Sequence, residues 1–250
     1  MPWRARHTPY RVFVSEIMLQ QTTVTRVMGR WSAFLLEFPS FRQLADSSVE
    51  RVIGAWKGLG YNRRALALRE SARRITSEFH GRLPRTVEEL VQLPGVGHAT
   101  AAAVIVYTFN IPLVFIETNI RRVFLHTFFP DQEDVPDSLI LPLVEKALDK
   151  ENPRDWYYAL MDYGTWLASE RTGSGENPNR RSRRYKVQSP FEGSLRQLRG
   201  RVLAVILEKK AASVAQIQDL LDEDPRLSEA LRQLVDEGFL RRVRGRYSFR

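Results

Sequence analysis

The chain has 250 residues, 43% hydrophobic and 27% charged, which is enough apolar mass for one or two cores and is not the composition of a disordered segment. Lys and Arg number 38 against 29 Asp and Glu, and the net charge of +9 points to a polyanionic partner, nucleic acid first. The absence of Cys excludes disulfides, zinc–thiolate sites, cysteine nucleophiles and cysteine-ligated iron–sulfur clusters, while no apolar run approaches the roughly 20 residues that cross a bilayer.

In chain order, Tyr10, Phe13, Val14, Ile17 and Met18 recur at helical spacing, and Trp31, Phe34, Leu35 and Phe38 form a second stripe. Further helices are expected over 48–56, 63–79, 86–92, 98–109, 118–129, 138–150 and 153–169, between turns marked by Pro or Gly. No alternating strand pattern interrupts them. The stretch 171–190 is rich in Arg, Gly, Asn and Ser and poor in apolar residues, so it reads as an ordered loop or linker closing a first domain of 1–170, with linker character to 194. Helices are expected near 195–209, 213–222 and 226–237. A hairpin follows around Arg244 and Gly245, which makes a small winged-helix-like domain over 195–250. His7, His80, His98 and His126 lack metal-ligand spacing and are read as structural. The start MPWRARHTPY carries no apolar signal segment, so a cytoplasmic location without membrane attachment is expected.

The sharpest local signal is LPGVGHATA, 93–101, between the amphipathic TVEELVQL and the Ala-rich ATAAAVIVYTF. It reads as helix, tight hairpin, helix. Gly95 and Gly97 permit close backbone approach, and the free N–H groups opening the second helix favour a phosphate, a grip on DNA that reads no sequence. Next, FIETNIRRV places Glu117 and Asn119 at another helix start, where they are either an N-cap cluster or site residues. Glu16 lies within the mostly apolar VSEIMLQQTT, either paired with an Arg or held with a raised pKa for proton transfer.

PWR, TPYRVFVSEIMLQQT, WKGLGYNRRA, LPGVGHATA, ETNIRRV and ALMDYG occur in an order and spacing similar to those of MutY-type adenine DNA glycosylases, a branch of the helix-hairpin-helix (endonuclease III) superfamily; the likeness covers about 2–168. The resemblance implies a mainly α fold of two helical lobes with the base pocket in the cleft between them. It implies a monofunctional glycosylase that turns a mispaired base out of duplex DNA and hydrolyses it, most closely adenine opposite guanine or 8-oxoguanine, working as a nucleoid-associated monomer. Thymine or uracil opposite guanine is the runner-up substrate, and a non-catalytic DNA-binding protein the alternative of another class.

By the same resemblance Glu16 is the general acid that protonates the departing purine. Glu117, where the family has aspartate, stabilises the sugar cation, and Asn119 helps hold carboxylate and sugar. Gln21 enters the DNA stack and Tyr61 wedges beside the mismatch, with Gln20, Thr22 and Arg63 as neighbouring contacts. Gly95, Val96, Gly97, His98 and Thr100 hold the backbone, where the family implies a monovalent cation as the one possible cofactor. Arg180, Arg181, Arg183 and Arg184 stand where relatives carry the cluster loop and are expected on phosphates. Ala168 takes the place of the first cluster cysteine, and Ala99 the place where bifunctional relatives carry a Schiff-base lysine, so no metal and no lyase activity are expected. Relatives place a further helix before PWR, so either the start is assigned late or the lobe is built differently.

Overall fold

A computed structural model describes residues 1–170 and 177–250; the front of the Arg-rich stretch, 171–176, lies outside the described residues. After a short 3-10 turn at Pro2–Arg4, the first lobe runs through α1 (Pro9–Leu19), α2 (Val24–Glu37), α3 (Phe41–Ala45), α4 (Val49–Trp56), α5 (Arg63–Glu78), α6 (Val87–Leu90) and α7 (His98–Phe109). The second lobe adds α8 (Thr118–Phe128), α9 (Asp137–Ala147) and α10 (Pro153–Glu170). Then come α11 (Leu195–Lys209), β1 (Ala211–Ser213), α12 (Val214–Leu220), α13 (Leu227–Asp236), β2 (Leu240–Val243) and β3 (Arg246–Phe249).

Helix starts follow from side-chain caps: Ser40, Ser48, Thr86, Ser194 and Ser213 each accept the N–H three residues on. Sequence spacing anticipates the long helices to within a few residues but misses α3, whose five residues are too few to show a period. It also misses β1, three residues long, which joins the hairpin as an antiparallel edge strand in the order β1-β3-β2. The C-terminal unit is therefore three helices and a three-stranded sheet, a winged-helix-like layout.

Two apolar cores form, and α1 and α7 run between them. From α7, Ala101, Val104 and Ile105 enter the first core while Ala102, Ala103, Val106 and Tyr107 enter the second. The short alanine side chains let the two helices pack closely. From α1, Phe13, Val14, Ile17 and Met18 fill the first core and Val12 the second. Leu198, Val202, Leu203 and Ile206 of α11 belong to the core that includes the first lobe, so the C-terminal unit is seated on α4; Leu207 Cδ2 lies 3.8 Å from where a Cβ on Gly54 would stand. No helix among the described residues is long and apolar enough to cross a membrane.

Candidate active site

Because α1 follows the seam between the lobes, its one carboxylate residue, Glu16, opens into the cleft between them. That cleft has a volume of about 1710 Å³ and is lined by Glu16, Glu117, Asn119, Tyr107 and Tyr158 at one end and by the turn around Tyr61 at the other. Among the described residues Glu16 makes no ion pair; burial first, then the charge of Glu117, push its carboxyl well above the usual range, with Arg4 opposing. Glu117 is the N-cap residue of α8, yet its side chain caps nothing and faces the cleft, its pKa raised by burial against the pull of Arg121. Two carboxyls in one protein-walled space cannot both ionise freely, so the charge of one raises the cost of ionising the other.

Asn119, in the first turn of α8, is fixed at both ends of its amide. Its Oδ1 accepts from Arg122 Nη1 at 2.5 Å, and its Nδ2 donates to Thr165 Oγ1 at 3.2 Å. The buried Arg122 also donates to Gly164 O at 2.7 Å, tying α8 to α10. The glycine of ALMDYG is required here, since a Cβ on Gly164 would lie 2.5 Å from Asn119 O and 2.8 Å from Asn119 Cβ. The cleft wall also carries residues that the sequence reading passed over. Arg4 donates to both Asp162 oxygens at 2.7 and 2.9 Å and lies 4.2 Å above the Tyr158 ring, which stacks on Tyr107 at 4.7 Å. Arg4 and Asp162 were within reach of sequence reading, in the quoted motifs PWR and ALMDYG.

The residues expected at DNA occupy three adjoining turns. Gln21 and Tyr61 both have positive φ, 50° and 47°, an unusual backbone state for non-glycine residues. Both turns are held by one buried guanidinium. Arg64 Nη1 donates to Ile17 O at 3.0 Å, to Met18 O at 2.8 Å and to Gln20 O; Nη2 donates to Thr22 Oγ1 at 2.7 Å, Leu59 O at 3.2 Å and Gly60 O at 3.0 Å. Burial lowers its pKa to about 10, so it stays charged at neutral pH. Gln20 joins the third turn, donating to Gly95 O at 3.0 Å and Thr100 Oγ1 at 3.2 Å. In that hairpin Gly95 has φ +76° and a Cβ there would meet Ala67 Cβ at 2.9 Å, whereas Val96 is buried and its N–H is spent on Leu93 O. Gly97 begins α7 without a side-chain cap, leaving the first N–H groups beside exposed His98 open to an anion.

Other expected contacts are engaged elsewhere. Arg63 pairs with Glu237 at 2.5 Å, Arg183 with Asp134 at 2.6 Å and Arg184 with Asp137 at 3.1 Å. Arg180 and Arg181 lie in a 3-10 turn at Pro178–Arg181, and none of these four arginines lines the cleft. Ala99 does, offering no amine; the lysine that opens on the cleft is Lys57, on the exposed rim after α4.

Two helical lobes, a hairpin followed by a free helix N-terminus, and an acid at the seam define a base-excision type of architecture. The chain belongs to the HhH-GPD superfamily of base excision DNA repair proteins, whose family description matches residues 14–143. Within it the chain is similar to the adenine DNA glycosylases, including that of Mycolicibacterium smegmatis (strain ATCC 700084 / mc(2)155), 31% identical over 255 residues that cover 96% of this chain and 87% of the relative. The adenine DNA glycosylase of Buchnera aphidicola subsp. Baizongia pistaciae is 32% identical over 67% of this chain; the chain spans about half the length of that curated relative, 48%. Among solved structures, a thermostable thymine-DNA glycosylase superposes with a TM-score of 0.58 at 27% identity, covering 66% of this chain and 77% of that one.

Proposed function

We propose that this protein is a monofunctional DNA glycosylase acting as a monomer at the nucleoid on duplex DNA, and that its substrate is adenine opposite guanine or 8-oxoguanine. The observation that carries the reading is Glu16: a buried carboxyl at the lobe seam that opens on the cleft without an ion pair among the described residues, its pKa raised by burial and by Glu117. Adenine needs such a proton to leave as a neutral base. The target base turns out of the stack into the cleft while Gln21 and Tyr61 fill the gap, and the hairpin at 93–98 holds backbone phosphate. Glu16 transfers its proton to the purine as the glycosidic bond breaks, and the carboxylate of Glu117 offsets the charge growing on the sugar. Water then adds its hydroxyl to the sugar carbon and returns a proton to the carboxyl pair. Asn119, held by Arg122 and Thr165, keeps the α8 start in place.

No step requires a cofactor. The family resemblance implies a monovalent cation at the hairpin, but Leu93 O, Pro94 O and Gly95 O already accept from Val96 N at 3.2 Å, Ser71 Oγ at 3.0 Å and Gln20 Nε2 at 3.0 Å. Each of these carbonyls keeps a second lone pair with which it could face a cation, and no step is routed through an ion.

Thymine opposite guanine is kept as a second reading because of the similarity to the thymine-DNA glycosylase structure. Duplexes carrying A opposite G, A opposite 8-oxoguanine, or T or U opposite G, incubated with protein and then treated with alkali, separate the readings. Release of adenine, lost in Glu16→Gln with duplex binding kept, is expected. Thymine or uracil release without adenine release transfers the assignment to the second reading, and no release from any duplex removes catalysis altogether.

A further inference from the structure

The C-terminal unit divides its charges between its two ends. The α12–α13 connection and the exposed side of α13 carry Asp219, Asp222, Glu223, Asp224, Glu229 and Asp236, and the arginines nearby are spent on acids: Arg201 on Asp222 at 2.9 Å, Arg226 on Asp224 at 2.6 Å and Arg232 on Asp236 at 3.3 Å. The hairpin is the opposite. In RRVRGR, 241–246, all four arginines are exposed and none has a carboxylate partner among the described residues. Arg241 Nε donates to Ser248 Oγ at 3.3 Å, Arg242 lies 5.7 Å from the Tyr247 ring, Arg246 Nη2 donates to Ala211 O at 2.9 Å, and Arg244 at the turn, with φ 49°, makes no side-chain hydrogen bond or ion pair among the described residues.

The register gives the hairpin two faces. Leu240 and Arg242 oppose Phe249 and Tyr247, and the buried Tyr247 and Phe249 turn that face inward. Arg241, Val243, Arg246 and Ser248 therefore share the outer face, with Arg244 at the tip. The hairpin also has a fixed place relative to the cleft. Glu237, three residues before β2, pairs with Arg63 and with Arg199, and Arg196 Nη1 donates to Tyr61 OH at 3.1 Å, while Lys210 pairs with Glu50 at 2.7 Å on the other side of α4. The residue that leads into β2 is thus held beside Arg63 at the start of α5, and the strands extend about 13 Å at four residues each.

We infer that this hairpin, and not the third helix, is a second DNA site: its outer arginines grip the phosphates of the duplex beyond the cleft without reading bases. The exposed side of α13 carries Glu229 and Asp236, its one arginine, Arg232, pairs with Asp236, and Gln233 accepts from Arg199, so this helix presents no surplus of positive charge to a polyanion. The inference rests on duplex DNA being the ligand of the cleft.

The test is a salt titration of full-length protein on a long undamaged duplex, followed by fluorescence anisotropy, with Arg241→Gln/Arg244→Asn. Asparagine keeps the left-handed turn at 244. The slope of log affinity against log salt falls by about 0.9 per lost contact, close to two for the pair, equally on duplexes of different sequence. The Arg241→Lys/Arg244→Lys protein keeps the slope of the parent, because a phosphate contact needs only the charge. An unchanged slope, a loss confined to particular sequences, or a lysine pair as defective as the first would each overturn the inference. A parent protein that binds duplex with this slope but releases no base removes the glycosylase reading and leaves the hairpin site standing; one that does not bind duplex overturns both.

Discussion

Replacing Arg64 by Met removes one guanidinium and keeps a side chain of similar reach. Six acceptors lose a donor: Ile17 O, Met18 O, Gln20 O, Thr22 Oγ1, Leu59 O and Gly60 O. Several keep another: Gly60 O still accepts from Trp56 Nε1 at 3.0 Å, Leu59 O from Thr22 Oγ1 at 3.2 Å, and Gln20 O more weakly from Thr22 Oγ1 at 3.3 Å. The full penalty for an unsatisfied buried acceptor, about 1–3 kcal/mol, therefore falls on one or two groups, and relief of the buried charge returns part of it. A net loss of about 2–4 kcal/mol follows, or roughly 4–16 °C in melting temperature for a chain of this size. The functional loss should be larger, because Gln21 and Tyr61 sit at positive φ on the two turns that Arg64 joins. Thermal melts give the first quantity. The second comes from single-turnover base release well below the melting temperature, with 2-aminopurine fluorescence beside the target base to follow its exit. Arg64→Lys should recover part of both. A Met variant that melts with the parent, or that melts early yet releases base within twofold of it, would refute the reasoning.

Four further outcomes are expected. Above the raised pKa of Glu16, base release falls about tenfold per pH unit as the acid loses its proton. Since the folded-state pKa of Glu16 lies above its ordinary value of 4.5, the favourable contribution of the protonated group is complete below that pH and is lost as pH rises through the folded pKa, so Glu16→Gln should melt higher than the parent at neutral pH and the gap should close near pH 4. Gly164→Ala forces a Cβ against Asn119 and should cost about 1–3 kcal/mol by overpacking, lowering kcat more than it raises KM; unchanged kinetics would detach the α8–α10 contact from the site. Borohydride added during reaction should trap no protein–DNA adduct, since Ala99 carries no amine; an adduct lost in Lys57→Ala would move lyase chemistry to the cleft rim.

The parts of this protein that were legible in advance are those written in spacing. The helical periods of α1, α5, α7 and α8 placed Glu16, Glu117, Asn119 and the hairpin on the correct elements, and the glycine at 95 announced a turn that only glycine fits. Buried cations were not legible. Arg64 stands in a helix with Arg63, Arg69, Arg73 and Arg74, and composition treats all five alike. A signal did exist: Arg64 lies four residues before Leu68, on the stripe that continues through Ala72 and Ile75, so helical period puts its side chain on the buried side. Asp162 and Gly164 were quoted as parts of a motif, but their work depends on α8 crossing α10, a distance that no local pattern carries.

The same distinction decides how a lobe without cysteines is closed. Where described, the Arg-rich stretch docks on the second lobe: Asn179 is buried and donates to Thr118 O at 3.2 Å, next to Glu117. Val135 N donates to Arg181 O at 2.8 Å and Arg183 N to Val135 O at 3.0 Å, so main chain does the joining. The exposed pairs Arg183–Asp134 and Arg184–Asp137 add little by themselves, about 0.2–1 kcal/mol each, although Asp137 also takes the largely buried Arg121 at 2.8 and 2.9 Å. Arginines that composition offers to phosphate are thus partly spent on the fold: Arg64, Arg122 and Arg154 on carbonyls, Arg121, Arg183, Arg184 and Arg199 on acids. A net charge of +9 therefore overstates what is free for DNA in some regions and understates it in others. One cluster left without carboxylate partners among the described residues is the C-terminal hairpin, and neutralising it should lower the salt dependence of binding.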